Sequence, residues 1–463
     1  MAAALERIVK GGTVASVDGA FRADVGIVEG RIVAVGEDLD AAGADVIDAS
    51  GLIVAPGAVD VHTHFDTTLE SGATADDYES GSRAAAAGGI TSFVNFAFQQ
   101  PGRTLGEAAG AELGKAEGRS HLDYGVHLVA TDLSVPHVLD ELDELVARGF
   151  TSLKVFTAVE GVALGDRELL AVLQAAADAG VMVNVHAEDG ALIDHLTGRL
   201  LEGGRTTVDH LVEARPPLAE ALATERVAGY ARALGCVVYF VHLSCRAALD
   251  AVRRARRDGA EVFVETRPAY LFLDAERYRL PDREGNKFVC WPPLRERDDA
   301  AALWGGLRTG EIQTYATDHT TWLAAQKTDP GLTFADVPGG VANVQTSVGM
   351  LFAEGVATRR ISLSRFVAVT STNPAKLFGM WPRKGSVAVG ADADLVLIDP
   401  ARHVRLTAAA MESRSDFEPY EGWEGVGWPV TTISRGEVIV SEGAVRSRPG
   451  RGRFLARDRY QPL

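Results

Sequence analysis

Short runs in which apolar and polar residues alternate open the chain, at residues 7–10, 13–17, 24–28, 31–35 and 45–48. Asp18-Gly19 and Glu29-Gly30, which punctuate them, are hairpin signals. The same period of two returns at 393–398, 430–435 and 437–440, with Arg435-Gly436 as a turn. The two ends are therefore expected to complete one β-sandwich, residues 1–54 plus 383–445, which makes that domain discontinuous. Between them, apolar runs alternate with amphipathic helical stretches such as 167–179 and 218–234, the pattern of repeated βα units around a parallel sheet. Strands are predicted at 59–63, 91–96, 124–130, 152–156, 181–186, 237–242, 262–266 and 313–317. Eight is the number that a closed (β/α)8 barrel needs. The chain thus reads as an α/β protein with a barrel over 55–382 and a C-terminal tail over 446–463.

Composition narrows the function. With 463 residues, 46% hydrophobic and 24% charged, the chain has room for one large domain and one smaller one. A formal charge of -17, from 46 basic and 63 acidic residues, argues against phosphate-backbone binding, so nucleic acid is not expected as a partner. No eighteen apolar residues run together, and the opening lacks the apolar core of a secretion signal, so no membrane contact and a cytoplasmic location are expected. Cys236, Cys245 and Cys290 are odd in number and lack Cys-x-x-Cys spacing, which predicts free, buried thiols.

The chemistry gathers at predicted strand ends. In Pro56-Gly57-Ala58-Val59-Asp60-Val61-His62-Thr63-His64, side chains two apart on an extended strand share a face, so His62 and His64 can offer two imidazoles to one ion. Lys154 lies in the fourth strand, His186 ends the fifth, His242 ends the sixth and Asp318 follows the eighth. Barrel active sites are built from such ends at one mouth. Taken singly, each has a plainer role: a buried histidine satisfied by a carbonyl, a lysine in an internal salt bridge, an aspartate capping a helix. A desolvated lysine nevertheless has a lowered pKa and an amine able to react.

The segments Pro56 to His64, Thr151-Ser152-Leu153-Lys154-Val155-Phe156, Val185-His186-Ala187-Glu188-Asp189, Val241-His242-Leu243-Ser244, Trp291-Pro292-Pro293-Leu294-Arg295 and Lys384-Gly385-Ser386 to Asp394-Leu395 resemble the hydantoinase and dihydropyrimidinase branch of the amidohydrolase superfamily, in order along nearly the whole chain. The resemblance implies two divalent ions, zinc foremost with manganese or cobalt as substitutes. His62, His64 and Asp318 would hold one and His186 and His242 the other, with Lys154, carboxylated by carbon dioxide, bridging both. It implies a hydrolase that opens the C–N bond of a small cyclic amide to a carbamoyl amino acid. Asp318 would take the proton of the attacking water and pass it to the leaving ring nitrogen. It also implies a homotetramer, with the arginine-rich tail strapped onto a neighbouring subunit; from its charge alone the tail reads as solvated and partly disordered.

The match breaks in the substrate shell. The family's tyrosine five residues after the bridging lysine is Val159 here, the serine before the Pro-Pro pair is Trp291, and the usual cysteine-containing segment reads Glu265-Thr266-Arg267-Pro268-Ala269-Tyr270. Val159, Trp291 and Asn343 are the expected substrate contacts, and they predict a less polar or differently shaped pocket. A dihydroorotase-like arginine after the second histidine is absent, since Asp66 stands there. An allantoinase, another cyclic imide hydrolase and a non-catalytic assembly relative are the alternatives; the intact ligand positions speak against the last.

Overall fold

The computed structural model describes residues 5–69 and 71–463. Its centre is an eight-stranded parallel sheet: β1 (Ala58–Thr63), β2 (Ile90–Phe98), β3 (Asp123–Val129), β4 (Ser152–Phe156), β5 (Met182–His186), β6 (Val238–Phe240), β7 (Val262–Thr266) and β8 (Thr314–Tyr315). Each strand pairs in parallel with the next in sequence. The first and last strands close the ring, because Thr63 bridges His319, the His64 amide donates to the His319 carbonyl at 2.9 Å, and the Thr317 hydroxyl donates to Asp60 at 2.6 Å. Buried on both faces, these strands read as nearly unbroken apolar runs.

The helices between them form for visible reasons. Asp166–Ala179 buries Leu169, Val172, Leu173 and Ala176, spaced to share one face, and stops at Gly180, whose φ of 66° suits glycine. Pro217–Leu234 begins with proline at its first turn and ends at Gly235, again at φ 66°. Both match the predicted helices to within a residue at each end. Two strands are shorter than expected. His242 adopts φ 40° and so leaves the extended conformation at the predicted end of the sixth strand, while Asp318, at φ 49°, turns directly after the predicted end of the eighth.

Strands from both chain ends join in a second, nine-stranded sheet. Its order runs Ala444–Val445, Glu437–Ser441, Glu424–Ser434, Leu395–Arg405, Ile53–Pro56, Arg7–Ser16, Gly19–Val28 and Arg31–Gly36, with Asp45–Asp48 beside Arg7–Ser16. The sheet folds back over a core that includes Val14, Val25, Ile27, Ile32, Leu395 and Ile433. Two of its three predicted turns meet there: a Cβ on Gly30 would stand 2.7 Å from the Arg435 carbonyl oxygen. The strand Ile53–Pro56 passes through Gly57 directly into β1, so the sheet holds the barrel's first strand by the chain itself.

The tail is anchored to the barrel in part, with Arg446, Arg448, Arg453 and Arg459 exposed. The Tyr124 amide donates to the Arg453 carbonyl and the Leu455 amide to the Tyr124 carbonyl, extending the backbone pairing of β3. Phe454 packs on Tyr124 and Phe150, Leu455 is buried, and Arg457 lies beneath the barrel donating to the Val126 carbonyl and to Ser152. The arginines read as solvated charge are thus partly spent on the protein's own barrel. The three cysteines are free and buried, as expected. Among the described residues no helix is long and apolar enough to cross a membrane.

Candidate active site

The strand ends bring the predicted residues together at one rim. Nε2 of His62 and Nε2 of His64 lie 3.0 and 3.2 Å from Oδ1 of Asp318, and the three side chains offer donor atoms within 4.8 Å of one another. A second pair faces them: Nδ1 of His186 is 3.0 Å from Nε2 of His242. The ring of His242 lies 5.5 Å from that of His62, which joins the two groups. Lys154 reaches the same space from β4. Its Nζ stands 5.3 Å from the Phe96 ring and 4.8 Å from the Phe156 ring; Phe96 packs on His62 and His64, and Phe156 on His186. All six are buried except His64, which is partly open.

Outer partners fix how these groups point. Glu265, at 0% exposure, accepts from His62 Nδ1 at 2.8 Å, from the His242 amide at 2.9 Å and from the Tyr239 hydroxyl at 2.9 Å, so His62 turns Nε2 toward Asp318. Glu188 receives His186 Nε2 at 2.7 Å and is paired in turn with Arg215, leaving Nδ1 of His186 facing His242. Burial pushes His64 down to about 4 and lowers His186 and His242, so these imidazoles carry free lone pairs. Burial works against a charged His62 as well, but Glu265 and Asp318 outweigh it and raise its pKa. Burial alone would raise Asp318, yet Arg267 and His62 hold it well below the ordinary carboxylate range. Lys154 is driven down by burial to about 7, so near neutral pH much of it is a free amine.

Four imidazoles, an anionic carboxylate and a reactive amine make a donor set of nitrogen and oxygen suited to zinc and similar divalent ions. The family model described as the amidohydrolase family matches residues 53–439. The chain belongs to the amidohydrolase family. It is 40% identical to a D-hydantoinase of Ralstonia pickettii, covering 99% of this chain and 100% of that one. Among solved structures, a dihydropyrimidinase from Brevibacillus agri NCHU1002 superposes with a TM-score of 0.95 at 38% identity, covering 99% of this chain and 100% of that one. An L-hydantoinase (dihydropyrimidinase) from Arthrobacter aurescens gives 0.89 at 30%, covering 97% and 99%.

The three residues expected at the substrate shell of this amidohydrolase take different surroundings. Val159 packs beside Phe98 and Val162 on a cluster of Phe96, Val129 and Phe156, giving the apolar wall that its side chain predicts. Its φ of 89° is a strained conformation for a β-branched residue. Trp291 sits half-buried, its ring 5.1 Å from Cζ of Arg215. The Asn343 side chain is held within the scaffold. Its Nδ2 donates to the carbonyls of Thr317 and Val341, its Oδ1 accepts from the Tyr420 hydroxyl at 2.6 Å, and its amide donates to His319. Four groups escaped the sequence reading as functional residues: Glu188, Arg215, Glu265 and Arg267. Glu188, Glu265 and Arg267 lay inside quoted segments, and the two glutamates each sit beside a strand end that carries a histidine or faces one, which is the signal available for them.

Proposed function

We propose that this amidohydrolase opens the C–N bond of a cyclic amide of hydantoin or dihydropyrimidine type to a carbamoyl amino acid. The observation that carries the reading is the His62, His64 and Asp318 cluster, in a chain about 40% identical over its length to a D-hydantoinase. His62, His64 and Asp318 would hold one divalent ion, and His186 and His242 a second, with Lys154 between them as its carbamate. When bound, such ions supply Lewis acidity and an activated water at neutral pH.

The side chains supply the rest. The free amine of Lys154 attacks carbon dioxide, the N–C bond forms and a proton leaves to solvent, which turns a neutral, apolar-walled amine into an oxygen-donor anion. Glu265 and Glu188 keep the imidazoles oriented and in fixed tautomers. Asp318 accepts the proton of the attacking water and delivers it to the ring nitrogen as that bond breaks. Arg267, donating to Oδ2 of Asp318, holds this carboxylate in place.

Removal of metal should abolish ring opening, and zinc, manganese or cobalt should restore it. Hydantoin, dihydrouracil and allantoin, followed by release of the carbamoyl acid, identify the ring. Equal turnover in the demetallated protein, or no opening of any ring by the metal-loaded protein, overturns the reading. Val159, standing where the tyrosine is missing, keeps allantoin or another cyclic imide as the second reading, and the same panel separates the two. Homotetramer formation rests on the family resemblance, and a cytoplasmic location on the three unpaired, buried cysteines.

A further inference from the structure

Arg267 lies immediately beyond β7, at 0% exposure, beside the reacting centre. Its Nη1 donates to Oδ2 of Asp318, whose other oxygen faces His62 and His64. Its Cζ stands 4.4 Å from the ring of Tyr270, and the Tyr270 hydroxyl donates to the carbonyl of Pro292, next to Trp291. The guanidinium therefore bridges the ligand cluster and the segment expected to line the substrate chamber. Its Nε and Nη2 have no protein acceptor among the described residues. Those two donors share one edge of the guanidinium plane, the edge that grips both oxygens of a carboxylate at once. Buried donors without partners are rare, and what sets this unpaired edge apart is its place beside the ligand cluster, where an acceptor can arrive with the ligand.

We propose that Arg267 is a specificity-determining residue that selects cyclic amides carrying a carboxylate near the scissile bond, with Nε and Nη2 holding that carboxylate while Nη1 stays on Asp318. This rests on the cyclic-amide reading above and adds the class of substituent. A neutral side chain of the same shape leaves both donors unpaired and is rejected. Polar sites discriminate in this way because the mismatched ligand strands a buried group.

The metal-loaded enzyme should be compared on hydantoin-5-acetate and its neutral isostere hydantoin-5-acetamide. The acid should be favoured in kcat/KM by roughly 10- to 100-fold, the scale of a hydrogen-bonded charge contact. Arg267→Gln should bring the ratio to about one and Arg267→Lys should keep part of it, with thermal unfolding showing that each variant is folded. Calorimetric binding of the ring-opened products, N-carbamoylaspartate against N-carbamoylasparagine, gives a readout independent of turnover. If neither ring opens but the acidic product still binds more tightly and Arg267→Gln erases that preference, the proposed reaction fails and the carboxylate subsite stands. Equal handling of acid and amide by the wild type, in turnover and in product binding, overturns the proposal without any variant.

Discussion

Lys154 is a cation only at a cost. An amine between Phe96 and Phe156, at 1% exposure, loses its hydration, and burial brings its pKa to about 7 against about 10.4 for a free lysine. As pH falls through 7 the amine gains its proton and can no longer react with carbon dioxide. Carbon-13 bicarbonate should therefore give a carbamate resonance in the protein above pH 7 that fades below pH 6, and Lys154→Met should show none and lose activity by more than roughly 100-fold, a loss at least as large as removal of an outer-sphere partner causes. Glu265 acts one bond further out. Glu265→Gln keeps the shape but weakens the acceptor for His62 Nδ1, so metal affinity should fall roughly 10- to 100-fold in a competition with a chelator, with little change in folding. At this scale the sequence exposed the six proposed ligands because histidines spaced by two and a lysine on an apolar strand stand out against their surroundings. It concealed Arg267, whose meaning depends on which of its nitrogens find partners, and that is a fact of packing rather than of pattern.

The elements were legible where a single period governed them. All eight barrel strands and the helices at Asp166–Ala179 and Pro217–Leu234 follow from runs of buried residues. β6 and β8 are shorter than their apolar runs, and the left-handed turn at His242 that closes β6 has no signature in hydrophobicity. Nor does a polar residue in a loop give any sign that the Asn343 side chain and backbone amide meet Thr317, Val341, His319 and Tyr420. The loop bearing Tyr420 carries its own pH dependence. Burial raises Glu418 to about 8, with the Tyr420 amide donating to it at 3.0 Å. A carboxyl whose folded pKa exceeds its unfolded value contributes stability present below about pH 4.5, which is lost as pH rises through 8. Between those limits the wild type should lose roughly 1.4 kcal/mol per pH unit from this group, while Glu418→Gln should lie flat and be the more stable protein at pH 8. Parallel denaturation curves for the two across pH 5–8 would show Glu418 to be ionised in the folded state.

The whole molecule depends on two junctions between parts distant in sequence. Lys384, almost fully buried, lies 2.9 Å from Asp123 at the start of β3 and 3.0 and 2.7 Å from Asp392 and Asp394 ahead of the folded sheet. Burial opposes its charge, but the three carboxylates outweigh it and raise its pKa. Lys384→Met strands them, so stability should fall by roughly 3–5 kcal/mol in denaturant. The tail is the second junction. Leu455 is buried among Val59, Val94 and Phe378 at the base of the barrel, beside the backbone pairing of Phe454 with Tyr124. An intersubunit strap and an intramolecular plug predict different outcomes for one substitution. If the tail served chiefly to hold a neighbour, Leu455→Ala would lower the sedimentation coefficient and leave the unfolding of each protomer nearly unchanged. Because its contacts lie within its own barrel, Leu455→Ala should instead cost roughly 2–5 kcal/mol of protomer stability, the range for a truncated core leucine, at an unchanged sedimentation coefficient.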